Sequence, residues 1–462
     1  MQEIRNNQNF LHIFFYSLNQ IGYLFLLLGL MIWIICPIIG IIPLLTFTQI
    51  QVSKDLKKNK RKFKLSLINL FILLLVCFTF AISVSTRTIT SDLSIYINNY
   101  ESLGGSLSFW EYITLFNQEP LAYVIPNLLK TLFNANSDVF LLVQALTLNL
   151  GFIACAIIFM PYYYPIIILL NVTSATYFTQ LHLMRQFYSF IFLVPFVYVI
   201  SLRLKLIFAS LAMATHSSSI PFLVIGIISS FLKESKFKTK DKFKSNQLFI
   251  IFNKIRLKIK NTTNRIIRNS VFTYILFLML VISIPVVLFM MQRYGDILLQ
   301  LIPVPGFGVK IDRYSELNSS IGFDQGLWKG ILFELLFLIP SVIMLNFKKV
   351  GMLSYSWSLM LLVSGIYLLG SYFIANFMSR FMFLLSGLPG FFYTIILDSN
   401  QINYRGHLFA NVILLAVFTK VNYFLYRIIK SSFESSSSIW EGNPLGANIV
   451  DYINYLYGIL FN

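Results

Sequence analysis

Charge is scarce in this chain. Only 12% of its 462 residues are Asp, Glu, Lys or Arg, about half the share usual in soluble domains. Disorder is excluded as well, because disordered segments combine high charge with low hydrophobicity. Cysteine is nearly absent. Cys36, Cys77 and Cys155 each lie inside an apolar run, so they read as small buried apolar residues and not as a disulfide framework or a metal site. There is no HExxH, no Cys/His ligand set and no Asp-rich cluster, so no metal is expected. Without GxxxxGK[ST] or GxGxxG, no nucleotide cofactor and no ATP-driven work are expected either. No internal repeat of the kind found in many transporters is visible. Met1–Asn9 is not followed by a short apolar stretch with a cleavage site, so no removable signal peptide is expected. Strands of about 10 residues with alternating polarity, the mark of a membrane β-barrel, are missing too.

What is present is apolar. Hydrophobic residues make up 57% of the chain, with 46 Phe and 25 Tyr, and they fall in blocks. The expected fold class is all-α: a polytopic integral membrane protein with one transmembrane domain over residues 1–462. Given roughly 20 residues per crossing, about twelve transmembrane helices are placed at 22–47, 65–85, 136–160, 163–181, 187–203, 205–217, 219–232, 271–291, 327–346, 350–374, 380–397 and 405–426.

Lys and Arg total 36 against 18 Asp and Glu, for a net charge of +18. Alternating sides along these spans puts 24 basic residues on one face, including seven in 51–64 and twelve in the loop 233–270, and 11 on the other. The richer face is expected to be cytoplasmic. Within the long basic loop, 251–268 interleaves Ile, Phe and Leu with Lys and Arg. That suits a stretch lying on anionic lipid and not a nucleic-acid partner.

The opposite face carries two long loops, 86–135 and 292–326, and long loops commonly carry function. The first has apolar positions suited to short interfacial helices. The second, with its prolines and glycines, does not suit a regular helix. Arg87, Arg185, Arg293, Arg380 and Arg427 fall at span ends on this face. One reading is snorkelling to lipid headgroups. The other is an anion site, because a guanidinium fork fits phosphate oxygens. Arg185 follows His182 by three residues, a helical-face spacing, and Asn171, Thr173, Ser174 and Thr176 precede it. His216, in AMATHSSSIPF, is either a hydrogen-bonded structural residue or a proton acceptor, since imidazole titrates near neutrality.

Four segments in order resemble the EpsG family of Wzy-type polysaccharide polymerases: Arg87 with Asp92 and Tyr96; Glu119-Pro120 with Tyr123; Arg185-Gln186; and the segment containing His216. Asp312, Arg313, Tyr314 and Arg380 match more loosely. The resemblance covers residues 60–235 and extends to the rest by hydropathy. One departure is Thr90-Ser91 where the family has Gly before the Asp, and Gly permits backbone conformations that Thr and Ser do not.

The resemblance implies a metal-independent glycosyltransferase of the inner membrane, working on the external face. Its donor is a glycan on undecaprenyl pyrophosphate, and its acceptor is a single repeat unit on the same lipid. It implies Arg185, Gln186, Arg87, Arg313, Arg380 and Tyr96 as substrate-binding residues, and Asp92, Glu119 and His216 as candidate bases. Tyr96, Trp110 and Tyr123 would stack on sugars or serve as interfacial belt residues. Partners would be membrane lipid, a flippase of the same pathway and a chain-length regulator. The rivals are a flippase for the same lipid-linked unit and another membrane-embedded transferase. A flippase calls for charge in mid-span, which here is almost confined to Glu334 and Lys420.

Overall fold

The computed structural model describes residues 22–58, 63, 65–86, 92–103, 108–115, 119–174, 177, 181–182, 184–199, 201–216, 219–220, 222–223, 226, 387, 390–392, 394, 418–426 and 447–461. The regular elements among them are all helices. Two are long and apolar enough to cross a membrane: α3 (Leu67–Ser85) and α7 (Ser137–Phe159). The loops 233–270 and 292–326, and the expected spans 271–291, 327–346 and 350–374, lie outside the described residues, as does most of 380–397 and 405–426.

The stretch 22–47, placed as one span with two short spans over 10–47 as an alternative, is two helices. α1 (Gly22–Ile35) stops before α2 (Pro37–Lys58). The cause is local: a proline crowds the residue before it out of helical conformation, while its own fixed φ suits the first helical position. The chain reverses here. Cβ atoms placed on Gly22, Gly29 and Gly40 would meet Ile50, Leu44 and Trp33 respectively, a descending register that only an antiparallel hairpin gives. At Gly40 the approach is to the Trp33 backbone itself, 2.4 Å from its Cα. Fourteen residues at 1.5 Å each make α1 about 21 Å long, short of a bilayer core. The hairpin brings Gly22 back to the end of α2 that leads into the basic segment 51–64.

α3 and α7 pack side by side at the centre. Each is started by a side chain that satisfies an otherwise unpaired backbone donor: Ser66 Oγ accepts from Asn69 N at 3.2 Å, and Asn136 Oδ1 accepts from Val139 N at 2.9 Å. Between apolar helices in lipid the hydrophobic drive is weak, so close approach and hydrogen bonds hold the bundle. α7 meets α9 (Met184–Tyr198) through Gly151, whose Cβ would lie 2.7 Å from Ile191 Cδ1. Tyr188 of α9 donates to Gln144 Oε1 of α7. Trp33 Nε1 donates to Thr79 Oγ1 at 2.9 Å, fastening α1 to α3. α11 (Ile449–Phe461) returns to α3, where Tyr452 and Ser83 share a hydrogen bond of 2.7 Å.

α8 (Tyr164–Val172) corrects the expected span 163–181. It opens on Tyr164-Pro165 and ends after nine residues, with Asn171, Thr173 and Ser174 buried at its end. Thr173 Oγ1 returns to Leu169 O at 2.7 Å, satisfying a carbonyl of the last turn of α8 a second time. α9 and α10 (Leu202–Thr215) then form an antiparallel pair. Glycines let a later stretch approach: Cβ atoms on Gly387 and Gly390 would meet Phe190 and the Ile167 backbone. Lys420 is buried in the helical stretch 418–426.

The segment between α3 and α7 is helical in short pieces, as expected: α4 (Asp92–Ser102), α5 (Phe109–Leu115), a 3₁₀ turn (Pro120–Tyr123) and α6 (Val124–Phe133). Asn134, at φ 45° and ψ 37°, ends α6 in the left-handed conformation that Asn tolerates better than most residues. The Tyr100 ring of α4 stacks on Phe140 of α7 at 4.2 Å, and its hydroxyl donates to Ala135 O at 2.7 Å. Burial first, then the Glu101 charge, push the Tyr100 phenol up to about 12.

Candidate active site

Glu119 stands immediately before the 3₁₀ turn, whose first residue is Pro120. A small second core of Leu103, Tyr112, Ile113, Ala122 and Tyr123, with Phe109 against it, fixes that turn. The ends of α9 and α10 both pack on the same turn. This brings the first turn of α9, carrying Arg185, and the C-terminal cap of α10, His216, to the Glu119 carboxylate.

The contacts are direct. Arg185 Nη1 donates to Glu119 Oε2. Arg185 Nε donates to Tyr96 OH at 3.1 Å, and the guanidinium carbon lies 5.4 Å from the Tyr96 ring centre. His216 Nδ1 is 3.0 Å from Glu119 Oε1. A carboxylate paired with Arg only accepts, so Nδ1 carries the hydrogen and Nε2 is the accepting nitrogen of the neutral ring. The three side chains differ in depth: Arg185 is 21% exposed, Glu119 15% and His216 8%.

Tyr123 lines the site, receiving a hydrogen bond from Asn99 Nδ2 at 3.4 Å and packing its ring 5.3 Å from Tyr112. The Tyr112 phenol is held well above its usual range, by burial first and then by the Tyr123 hydroxyl, with the Arg185 charge acting in the opposite direction. Tyr112 and Asn99 carry no motif, and the sequence did not single them out.

Each expected site residue has a definite standing. Glu119, His216, Arg185 and Tyr96 come together. Gln186 is adjacent and buried, and its Oε1 has no hydrogen-bond partner among the described residues. Of Asp92 only the backbone is described, as the first residue of α4. Arg87, Arg313 and Arg380 lie outside the described residues. His182 and Arg185 do not share a helical face as expected, because His182 is in a turn and α9 begins at Met184. Trp110 is exposed, with its ring 5.1 Å from that of Phe109. Among the described residues no group of three or more His, Cys, Asp or Glu could hold a metal ion.

Comparison with family models, with curated proteins and with solved structures returns no match to this chain. The described residues themselves define the molecule: their regular elements are helices, two of them long and apolar enough to cross a membrane, and an Arg–Glu–His cluster stands beside them.

Proposed function

We propose that the chain is a polymerase of lipid-linked oligosaccharide repeat units. One observation supports this above the others. The four segments that carry the family resemblance are far apart in sequence, and each contributes one side chain to a single cluster: Tyr96, Glu119, Arg185 and His216.

In this reading the protein is a multi-pass inner-membrane protein with about twelve apolar segments, the first folded as the α1–α2 hairpin. The basic segments face the cytoplasm and the cluster faces outward. The substrates are a growing glycan on undecaprenyl pyrophosphate and a single repeat unit on the same carrier. The acceptor's non-reducing sugar hydroxyl attacks the anomeric carbon of the donor glycan. A new glycosidic C–O bond forms, the anomeric carbon–phosphate oxygen bond breaks, and its electron pair leaves with the pyrophosphate. Arg185, with its fork of donors, stabilises that developing charge. The hydroxyl proton goes to His216 Nε2. Glu119 holds the imidazole at Nδ1 and stabilises the imidazolium that results. Glu119 suits the orienting role better than the base role, since both its oxygens are already engaged. No step calls for a metal. A flippase and another membrane transferase stand as rivals, and the carboxylate–imidazole pair beside the arginine favours a transferase over a flippase.

The test is a polymer ladder. The gene is deleted, and lipid-linked glycan and surface polysaccharide are resolved on a gel with wild-type and Arg185→Ala complementation. Loss of long chains, with single repeat units still reaching the outside, is expected. Single units trapped on the cytoplasmic side would mean a flippase, and an unchanged ladder would end the glycan reading.

A further inference from the structure

We infer that α6 is a membrane-surface anchor. One apolar side of it embeds in the acyl chains of the outer leaflet and holds the turn that begins after Glu119 at the depth of lipid phosphates. The choice of leaflet and the lipid-linked donor rest on the reading above. The anchor rests on the helix itself.

A helix on the surface of a soluble domain needs two sides, one for the core and one for water. With residues about 100° apart around the axis, α6 has three. Ile125, Pro126 and Leu129 form the first, and it faces protein: Pro126 is buried, while Ile125 and Leu129 pack on the main core. Asn127, Lys130 and Thr131 form the second, which is polar. There Lys130 Nζ donates to Glu101 Oε2 of α4 at 2.6 Å, and Thr131 Oγ1 donates to Asn127 O at 2.7 Å. Val124, Leu128 and Leu132 form the third. They are four residues apart, so they lie along one line of the helix. All three are exposed, Leu132 at 69%, as is Phe133 at the helix end. Scattered exposed apolar side chains are ordinary. An ordered apolar sector, set between a core sector and a polar one, suits a helix where protein, water and lipid meet.

The position of α6 identifies what covers that sector. Asn134 ends α6, and α7 starts at Ser137, long and apolar enough to cross a membrane. The exposed sector therefore ends where a membrane-crossing helix begins. On α5, before the same turn, Trp110 is exposed too, as tryptophans at a membrane–water interface are.

A helix of this kind sinks its apolar side about 5–10 Å into the boundary between headgroups and acyl chains. Tyr123 is both the last residue of the 3₁₀ turn and the N-cap of α6, so the turn takes its depth from the helix. Glu119, immediately before that turn, stays near headgroup level together with Arg185 and His216, which it contacts. A pyrophosphate carried on a polyprenyl chain has its phosphates at that level while its tail remains in the bilayer. The cluster thus meets a lipid-borne phosphate without lifting the lipid out.

The experiment uses the full chain in nanodiscs of phosphatidylethanolamine and phosphatidylglycerol. Three variants carry a photoreactive side chain: Leu128→benzoylphenylalanine, Leu132→benzoylphenylalanine and, at an exposed position of α4, Asn98→benzoylphenylalanine. Irradiation should give phospholipid adducts at 128 and 132 and none at 98. No lipid adduct at 128 and 132, or adducts there to a second copy of the chain, overturns the anchor and leaves the polymerase reading standing. Equal lipid adducts at all three positions overturn the three-sided arrangement. The depth role is read with the double variant Leu128→Glu, Leu132→Glu. KM for the lipid-linked repeat unit should rise about tenfold with kcat within about twofold of wild type, and thermal unfolding should be unchanged. An unchanged KM, or a loss confined to kcat, overturns the depth role. Should the double variant fail to fold, Leu132→Gln is read in the same way. Wild type that gives the lipid adducts but makes no polymer overturns the polymerase reading and keeps the anchor.

Discussion

Glu119 Oε1 lies 3.0 Å from His216 Nδ1, across 97 residues of sequence, and the same carboxylate holds Arg185 through its other oxygen. One side chain thus fixes both the cation and the imidazole, and the expected behaviour of variants follows from that double contact.

Arg185→Ala should lower polymer formation by about 100- to 1,000-fold, the usual effect of removing a donor aimed at developing negative charge. Arg185→Lys should recover little of it, since an ammonium lacks the planar fork. The check is the polymer ladder alongside membrane-inserted protein by immunoblot. Wild-type ladder length in Arg185→Ala would remove Arg185 from the chemistry.

His216→Gln should cost about 100- to 10,000-fold in rate, the range for general base catalysis. In wild type the acidic limb of the pH–rate profile should report protonation of the imidazole, and it should disappear in the variant. A profile with the same acidic limb in both proteins would assign the base elsewhere.

The α1–α2 hairpin predicts both a topology and a weak point. Cysteines introduced at positions 22 and 58 should react with a membrane-impermeant reagent from the same side, whereas a single span at 22–47 would place them on opposite sides. Gly40→Ala should destabilise the protein by about 1–3 kcal/mol, the cost of forcing an extra methyl into a packed contact, because its Cβ would meet the Trp33 backbone. Thermal unfolding in detergent measures this.

In the segment between α3 and α7, α5 is held by a reciprocal capping pair. Ser108 N and Oγ both donate to Glu111 Oε2, at 2.8 and 2.6 Å, and Glu111 N donates to Ser108 Oγ at 3.3 Å. These bonds, the side-chain one first, lower the Glu111 carboxyl below its ordinary 4.5. A carboxyl depressed in the folded state stabilises above its unfolded value and loses that contribution as pH falls through the folded value. Protection of the α5 amides should therefore hold at neutral pH and fade below 4.5, while Ser108→Ala should be less protected at neutral pH. Hydrogen exchange at two pH values reads both effects.

Tyr100 and Lys130 should differ in weight. Tyr100→Phe removes a hydrogen bond of 2.7 Å to Ala135 O and should cost about 1 kcal/mol. Lys130→Met removes an ion pair to a Glu101 that is 47% exposed, and should cost well under 1 kcal/mol after solvent screening. Chemical unfolding of the two variants in detergent compares them.

Much of this was legible one segment at a time. The apolar blocks announced α3 and α7 to within two residues at each end, because a run of that length leaves the backbone little choice but a helix. Cys36-Pro37 also carried its signal, a helix stop before a proline, which the continuous hydropathy of 22–47 concealed. The polar run Asn171, Thr173 and Ser174 was visible too, and it falls where α8 ends. Periodicity placed His182 on the face of Arg185, and the turn before Met184 removed it.

The sequence by itself determined the helical class, the capping residues, the basic segments and the chemical identity of the four side chains in the cluster. Their meeting was decided only by the tertiary structure. A guanidinium, a carboxylate and an imidazole spread from residue 119 to 216 hold no local signal of proximity, since helical and turn preferences act over a few residues. Contact arises because a five-residue core with Phe109 against it anchors the 3₁₀ turn, and the antiparallel pair α9 and α10 delivers opposite helix ends to the same point. That is long-range packing, which no pattern along the chain records.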